Sequence, residues 1–184
     1  TFPNGRLNLR RFEHITNVIS TLQQQGRQVV LVSSGAIAVG VGKMGYKKRP
    51  STIPGKQAMA AIGQAILAKI YRKFFDQHTI KVGQILLTSD VITNVEKHKN
   101  AENTFAKLLE MGAVPIVNEN DTVSTDEIEI GDNDTLSAMV ASICKADLLI
   151  ILSDIDGFFD KDPRKNPDAK RISIITDVNE KVSN

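Results

Sequence analysis

The chain has 184 residues, of which 41% are hydrophobic and 24% charged, the balance of an ordinary globular domain; this excludes a disordered chain, a collagen and a disulfide-stapled miniprotein. Its single cysteine, Cys144, excludes an intramolecular disulfide and fits a reducing compartment. The formal net charge of +2 conceals a division: no Asp or Glu lies between His14 and Phe75, whereas twelve acids and only two bases, Lys145 and Lys161, lie between Glu119 and Asp162. Such asymmetry suits nucleic acid, or a site that gathers an anionic substrate and a metal-bound polyphosphate. No apolar run approaches the ~20 residues of a membrane helix, and the N-terminal TFPNGRLNLRR has no apolar segment of the signal type. The expectation is a soluble, cytoplasmic protein.

Asn8 is placed to cap a helix that carries Leu9, Phe12, Ile15, Ile19 and Leu22 at helical spacing and ends at Gly26. Gln28–Val32 is short, apolar and rich in valine, as in a buried strand. A basic loop, Lys47–Pro54, contains two prolines and no periodicity. Lys56–Phe75 has Ile62, Ile66, Ile70 and Phe74 at helical spacing. Ile80–Thr88 is predicted as a strand, Ala101–Met111 as a helix stopped by Gly112, and Ala113–Asn118 as a strand. The acidic segment Glu119–Asp132 is a loop or hairpin, Thr135–Ile143 a helix, and Asp147–Leu152 a strand of almost pure Leu and Ile. Strands apolar on both faces and separated by helices imply an α/β fold with a parallel sheet covered on both sides.

In such sheets ligands sit beyond the carboxyl ends of the strands. The polar signals fall there: SSGA after the first strand, TSD after the second, NEND after the third, SDIDG after the fourth. Ser33-Ser34-Gly35 opens a helix, where Gly35 permits close backbone approach and free N–H groups favour an anion; a plain cap and tight turn would look the same. Asn118-Glu119-Asn120-Asp121 and Gly131-Asp132-Asn133-Asp134 mix amides with carboxylates, so each can donate and accept. Together with Ser34 they could hold an amino acid by its ammonium and its carboxylates, although Asx residues also dominate turns and caps. Ser153, Asp154 and Asp156 could border a nucleotide or orient Mg²⁺, or form a solvated turn.

Gly40-Val41-Gly42-Lys43-Met44-Gly45 matches G-x-G-x-x-G by letter, but it does not follow a strand directly and no acid occurs before Asp76, which excludes a dinucleotide site. The P-loop, H-E-x-x-H and G-x-S-x-G patterns are absent. His14, His78 and His98 have no partners at catalytic spacing. With only 5% aromatic residues and no aromatics among Lys47, Lys48 and Arg49, a stacking surface for nucleic acid is not expected.

VVLVSSGAIAVG, KQAMAAIGQ, GQILLT, VPIVNENDTVST, EIGDNDTLSAMVA and ADLLIILSDIDGFFDKDPR occur in this order. Over essentially the whole chain they resemble the glutamate 5-kinases of the amino acid kinase family, with NENDTV followed by GDNDTLSA as the specific part. The resemblance implies a three-layer αβα sandwich around a mainly parallel, eight-stranded sheet. It implies phosphorylation of the γ-carboxylate of L-glutamate by MgATP, the first step of proline biosynthesis. By the same resemblance Ser34, Asp121 and Asn133 would contact glutamate, with Asn118 and Asp132 beside them. Asp134 would orient two catalytic lysines, and Ser153 and Asp154 would belong to the nucleotide site. A homodimer or homotetramer and feedback inhibition by proline are also implied, without a membrane or nucleic acid partner for this domain. The family carries one catalytic lysine in a first strand and the other in a T-G-G-M-x-T-K segment. Residues 1–184 are therefore expected to be a kinase domain lacking that strand and the C-terminal ATP-binding segment, with Lys43 and Lys56 as no substitutes. The alternatives are the kinase module of a bifunctional pyrroline-5-carboxylate synthase, an acetylglutamate or uridylate kinase, and a non-catalytic amino-acid-binding module.

Overall fold

The computed structural model describes residues 7–123, 133–153 and 155–176. The chain divides into two compact units, Thr1–Leu149 and Ile150–Asn184.

The first unit begins with α1 (Leu9–Gln24), capped as expected by Asn8, whose side-chain oxygen accepts from the Arg11 N–H at 3.3 Å. Strand β1 (Leu31–Val32) leads to α2 (Ala36–Met44) and then to α3 (Ile53–Asp76). Helix α3 starts three residues before its apolar periodicity does, because Thr52 accepts from the Gly55 N–H and a proline occupies the first turn. Strand β2 (Val82–Leu87) is followed by a 3₁₀ turn at Ser89–Val91 and by α4 (Val95–Glu110). Here too a cap extends the helix beyond its apolar part: Asn94 accepts from the Lys97 N–H at 2.9 Å, and the polar stretch VEKHKN becomes helical. Strand β3 (Val114–Glu119) and α5 (Asn133–Ile143) complete the unit.

The three strands form a parallel sheet in the order β1-β3-β2, with Val32 opposite Val117 and Leu87 opposite Glu119. Central β3 is buried on both faces, as its apolar sequence requires. Val114 and Ile116 pack with Ile19 of α1 and with Tyr71 and Phe75 of α3. Val117 points the other way, into Phe105 of α4 and Leu136, Val140 and Ile143 of α5. The alternation along one strand thus creates the helix–sheet–helix layering. Helix α2 lies against α3 through backbone-to-backbone contacts. A β-carbon on Gly40 would stand 2.0 Å from the Met59 carbonyl oxygen, and one on Gly63 would stand 1.8 Å from that of Ala36. Gly40 therefore serves helix packing, in agreement with the exclusion of a dinucleotide loop.

Two expected strands differ. Gln28–Val32 contributes only Leu31 and Val32 to the ladder. Among the described residues no strand is formed at Asp147–Leu152, and Leu148 to Leu152 are all exposed, Leu152 by 77%. Apolar composition supplies the tendency, but a strand exists only where a neighbour accepts its hydrogen bonds. The second unit holds β4 (Phe158–Phe159) antiparallel to β5 (Arg171–Ile172), joined by a turn in which Asp162 accepts from the Arg164 N–H. No helix among the described residues is long and apolar enough to cross a membrane.

Candidate active site

The chain leaves the carboxyl ends of adjacent strands β1 and β3 in opposite directions. After β1 it turns to α2, which packs with α1 and α3 on one face; after β3 it continues to α5, which packs with α4 on the other. Adjacent strands followed by helices on opposite faces form a topological switch point, and open α/β sheets bind ligands in a crevice at such a point. The two lips of the crevice are Ser33-Ser34-Gly35 and Asn118-Glu119-Asn120-Asp121.

The first lip separates the roles of its two serines. Ser33 is buried, receives the register of the sheet by donating its N–H to Val117 O at 2.8 Å, and shares a 3.0 Å hydrogen bond with the Tyr71 hydroxyl. Burial raises the Tyr71 pKa, an effect that the Ser33 hydrogen bond opposes. Ser34 is exposed and free to face a ligand. Gly35, at φ +87°, is the left-handed residue from which α2 starts.

The second lip is held from beneath. Asn118 is 6% exposed; its side-chain oxygen accepts from the Glu119 N–H at 2.9 Å, while its Nδ2 is buried with no hydrogen-bond partner among the described residues. Gln64 of α3 donates through Nε2 to the Glu119 carbonyl at 3.2 Å. Asn120 N–H donates to Leu87 O at 2.7 Å, tying the end of β3 to the end of β2. Asp121 follows in a turn, half-buried. A cavity of about 30 Å³ lies between sheet and α3, lined by Ser33, Gln64, Tyr71, Gln84 and Asn118 among others.

Ser34, Asn118 and Asp121 thus lie at the carboxyl end of the sheet, at the ends of β1 and β3. Asn133 and Asp134 form the first turn of α5, where Asn133 O accepts from the Ser137 hydroxyl; the helix begins two residues before Thr135, so Asp134 is inside its first turn rather than its cap. Carboxylates there suit the positive end of the helix dipole. Asp132 and Asp154 lie outside the described residues. Ser153 belongs to the second unit, is exposed, and accepts from the Ile155 N–H at 3.4 Å. At the end of β2, Asp90 accepts from Lys97 and from the Thr88 hydroxyl, and these bonds lower its pKa. Among the described residues no three His, Cys, Asp or Glu side chains converge to hold a metal.

Sequence reasoning passed over Gln64 and Tyr71. They sit in a helix recognised from its isoleucines, yet their spacing of seven places both on one face of α3.

The arrangement defines a class: a parallel αβα domain with a polar crevice at the strand ends. The amino acid kinase family profile matches residues 4–182, and the chain belongs to the amino acid kinase family. The glutamate 5-kinase of Clostridium perfringens is 53% identical, over 97% of this chain and 68% of its own length. That of Clostridium acetobutylicum is 52% identical over 99% and 68%, and that of Thermoanaerobacter sp. strain X514 is 48% identical over 99% and 49%. The chain therefore spans about two thirds of the clostridial relatives and about half of the third. The isopentenyl phosphate kinase of T. acidophilum, in its product complex, shares the fold with a TM-score of 0.57 at 18% identity, covering 90% of this chain and 69% of that one.

Proposed function

We propose that the protein carrying this chain is a glutamate 5-kinase: it transfers the terminal phosphoryl group of ATP to the γ-carboxylate of L-glutamate, giving L-glutamyl 5-phosphate and ADP, the first step of proline biosynthesis. The observation that carries the reading is the crevice whose two lips are the SSGA and NEND segments, in a chain about half identical to glutamate 5-kinases over nearly its whole length. In this reading the Ser34 hydroxyl donates to a carboxylate of glutamate, and Asp121 accepts from its ammonium group. Asn118, Asp132 and Asn133 complete the pocket.

Phosphoryl transfer asks for in-line positioning and for neutralisation of the charge on the transferred group, with little covalent chemistry from the protein. Asp134 orients the lysines that neutralise. Lys43 is in the last turn of α2, about 10 Å along the axis from Ala36, which supports leaving it out of this pair. Ser153 and Asp154 are assigned to the ATP side. The described residues do not fit a protein-built metal cage; Mg²⁺ would be carried by the polyphosphate of ATP. A cytoplasmic homodimer or homotetramer inhibited by proline belongs to the same reading.

A coupled ADP-release assay on the full-length protein tests it. Glutamate-dependent turnover is expected; its absence, or turnover with aspartate or UMP instead, sinks the proposal.

A further inference from the structure

We infer that Gln64 is a positioning residue for the second lip of the crevice, acting through the Glu119 carbonyl on Asp121. The inference rests on the proposed glutamate site and adds to it a residue that does not touch the substrate.

The geometry is specific. Gln64 is 7% exposed, and it spans 55 residues of sequence to reach the last residue of β3 at 3.2 Å. The two halves of the Glu119 peptide environment are then both fixed: its N–H by Asn118 Oδ1 and its carbonyl by Gln64 Nε2. Two residues later comes Asp121. Helix α3, which delivers the amide, is itself immobilised against the other lip: Gly63, the preceding residue, touches the Ala36 carbonyl, and Tyr71, two turns along the same face, bonds Ser33. Helix α3 therefore braces both lips, the first through Ala36 and Ser33 and the second through Glu119, in addition to the β1–β3 ladder that joins them. An ammonium and a carboxylate on one small substrate require the groups that hold them to be fixed relative to one another, and the Gln64 bond adds to that constraint at the end of β3.

The simpler view is that Gln64 only satisfies a buried carbonyl and contributes stability. The two views separate in the kinetics of the full-length enzyme, assayed with glutamate and ATP varied in turn. Gln64→Met keeps length and helix propensity but removes the donor. We expect the glutamate KM, and the glutamate Kd from calorimetry without ATP, to rise about tenfold, the loss of one hydrogen bond to a positioned group. The ATP KM should stay within about twofold. Combined with Asp121→Asn, the increase should be clearly smaller than the product of the two single effects, because both changes disable one contact. Should Gln64→Met fail to fold, Gln64→Leu, which is a strong helix former with neither a donor nor a charge to bury, takes its place.

Glutamate affinity within twofold of wild type, equal rises in both KM values, or full multiplicativity with Asp121→Asn would each overturn the inference. A wild-type enzyme that neither binds nor turns over glutamate would instead overturn the proposed function, so the two failures are distinguishable.

Discussion

Gly63 of α3 and Ala36 of α2 meet backbone to backbone, so closely that a β-carbon on Gly63 would lie 1.8 Å from the Ala36 carbonyl oxygen. Ala36 is the first residue of α2, directly after the turn that presents Ser34. The neighbour is main chain and cannot swing aside. Gly63→Ala gains about 1 kcal/mol of helix propensity and still is expected to destabilise, by roughly 2–4 kcal/mol, because the helices must part. Urea unfolding midpoints of wild type and variant check the sign; a stabilised variant would contradict the contact.

The two serines of the first lip should respond oppositely to truncation. Ser33→Ala leaves the buried Tyr71 hydroxyl without its 3.0 Å partner, an expected loss of about 1–3 kcal/mol in stability. Ser34→Ala, at an exposed position, is expected to leave stability within about 0.5 kcal/mol and to weaken glutamate binding. Thermal unfolding and glutamate calorimetry on the same pair of variants separate the two.

Asp121→Ala is expected to raise the glutamate KM roughly tenfold to a hundredfold, the range for a lost charge-assisted hydrogen bond, while the ATP KM changes little. Initial-rate kinetics with each substrate varied decide this. Equal effects on the two constants would move Asp121 out of the substrate site.

The acid side of the stability profile has an identifiable contributor. Glu102 of α4 accepts from Lys145, just beyond α5, at 2.7 Å and from Lys99 at 2.8 Å. These bonds, that from Lys145 foremost, bring its carboxyl down from 4.5 to about 2. A carboxylate with a depressed folded pKa adds stability that is complete above its unfolded value and is lost as pH falls through the folded one. The α4–α5 link should therefore hold above pH 4.5 and fade toward pH 2. Glu102→Gln should flatten that limb of a stability-against-pH curve and leave its neutral region slightly lower.

Periodicity and turn residues made the parallel αβα plan legible, and SSGA and NEND stand where the sequence places them, after β1 and at the end of β3. Helix starts were missed wherever a cap, rather than an apolar face, decides them, as at Thr52 and Asn94. Gln64 and Tyr71 were invisible for a different reason: their partners, Glu119 and Ser33, are 55 and 38 residues away, and no local pattern announces a contact at such separation. Spacing alone does not distinguish Ser33 from Ser34; the family resemblance names Ser34, and the structure adds that Ser33 is buried against Tyr71 while Ser34 is exposed.

Leu148, Leu149, Ile150, Ile151 and Leu152 are five consecutive exposed aliphatic residues outside any strand. A five-residue window of β-compatible, uncharged side chains without proline is the composition that templates intermolecular cross-β pairing. Asp147 at one end and Asp154 shortly beyond the other act as charged gatekeepers on the sequence. Colloidal behaviour of the chain should accordingly be governed by this short run rather than by net charge: a lysine at Ile150, the middle of the window, is expected to raise the concentration at which light scattering first detects aggregates, whereas a lysine added on the already basic Lys47–Arg49 loop should leave that threshold unchanged.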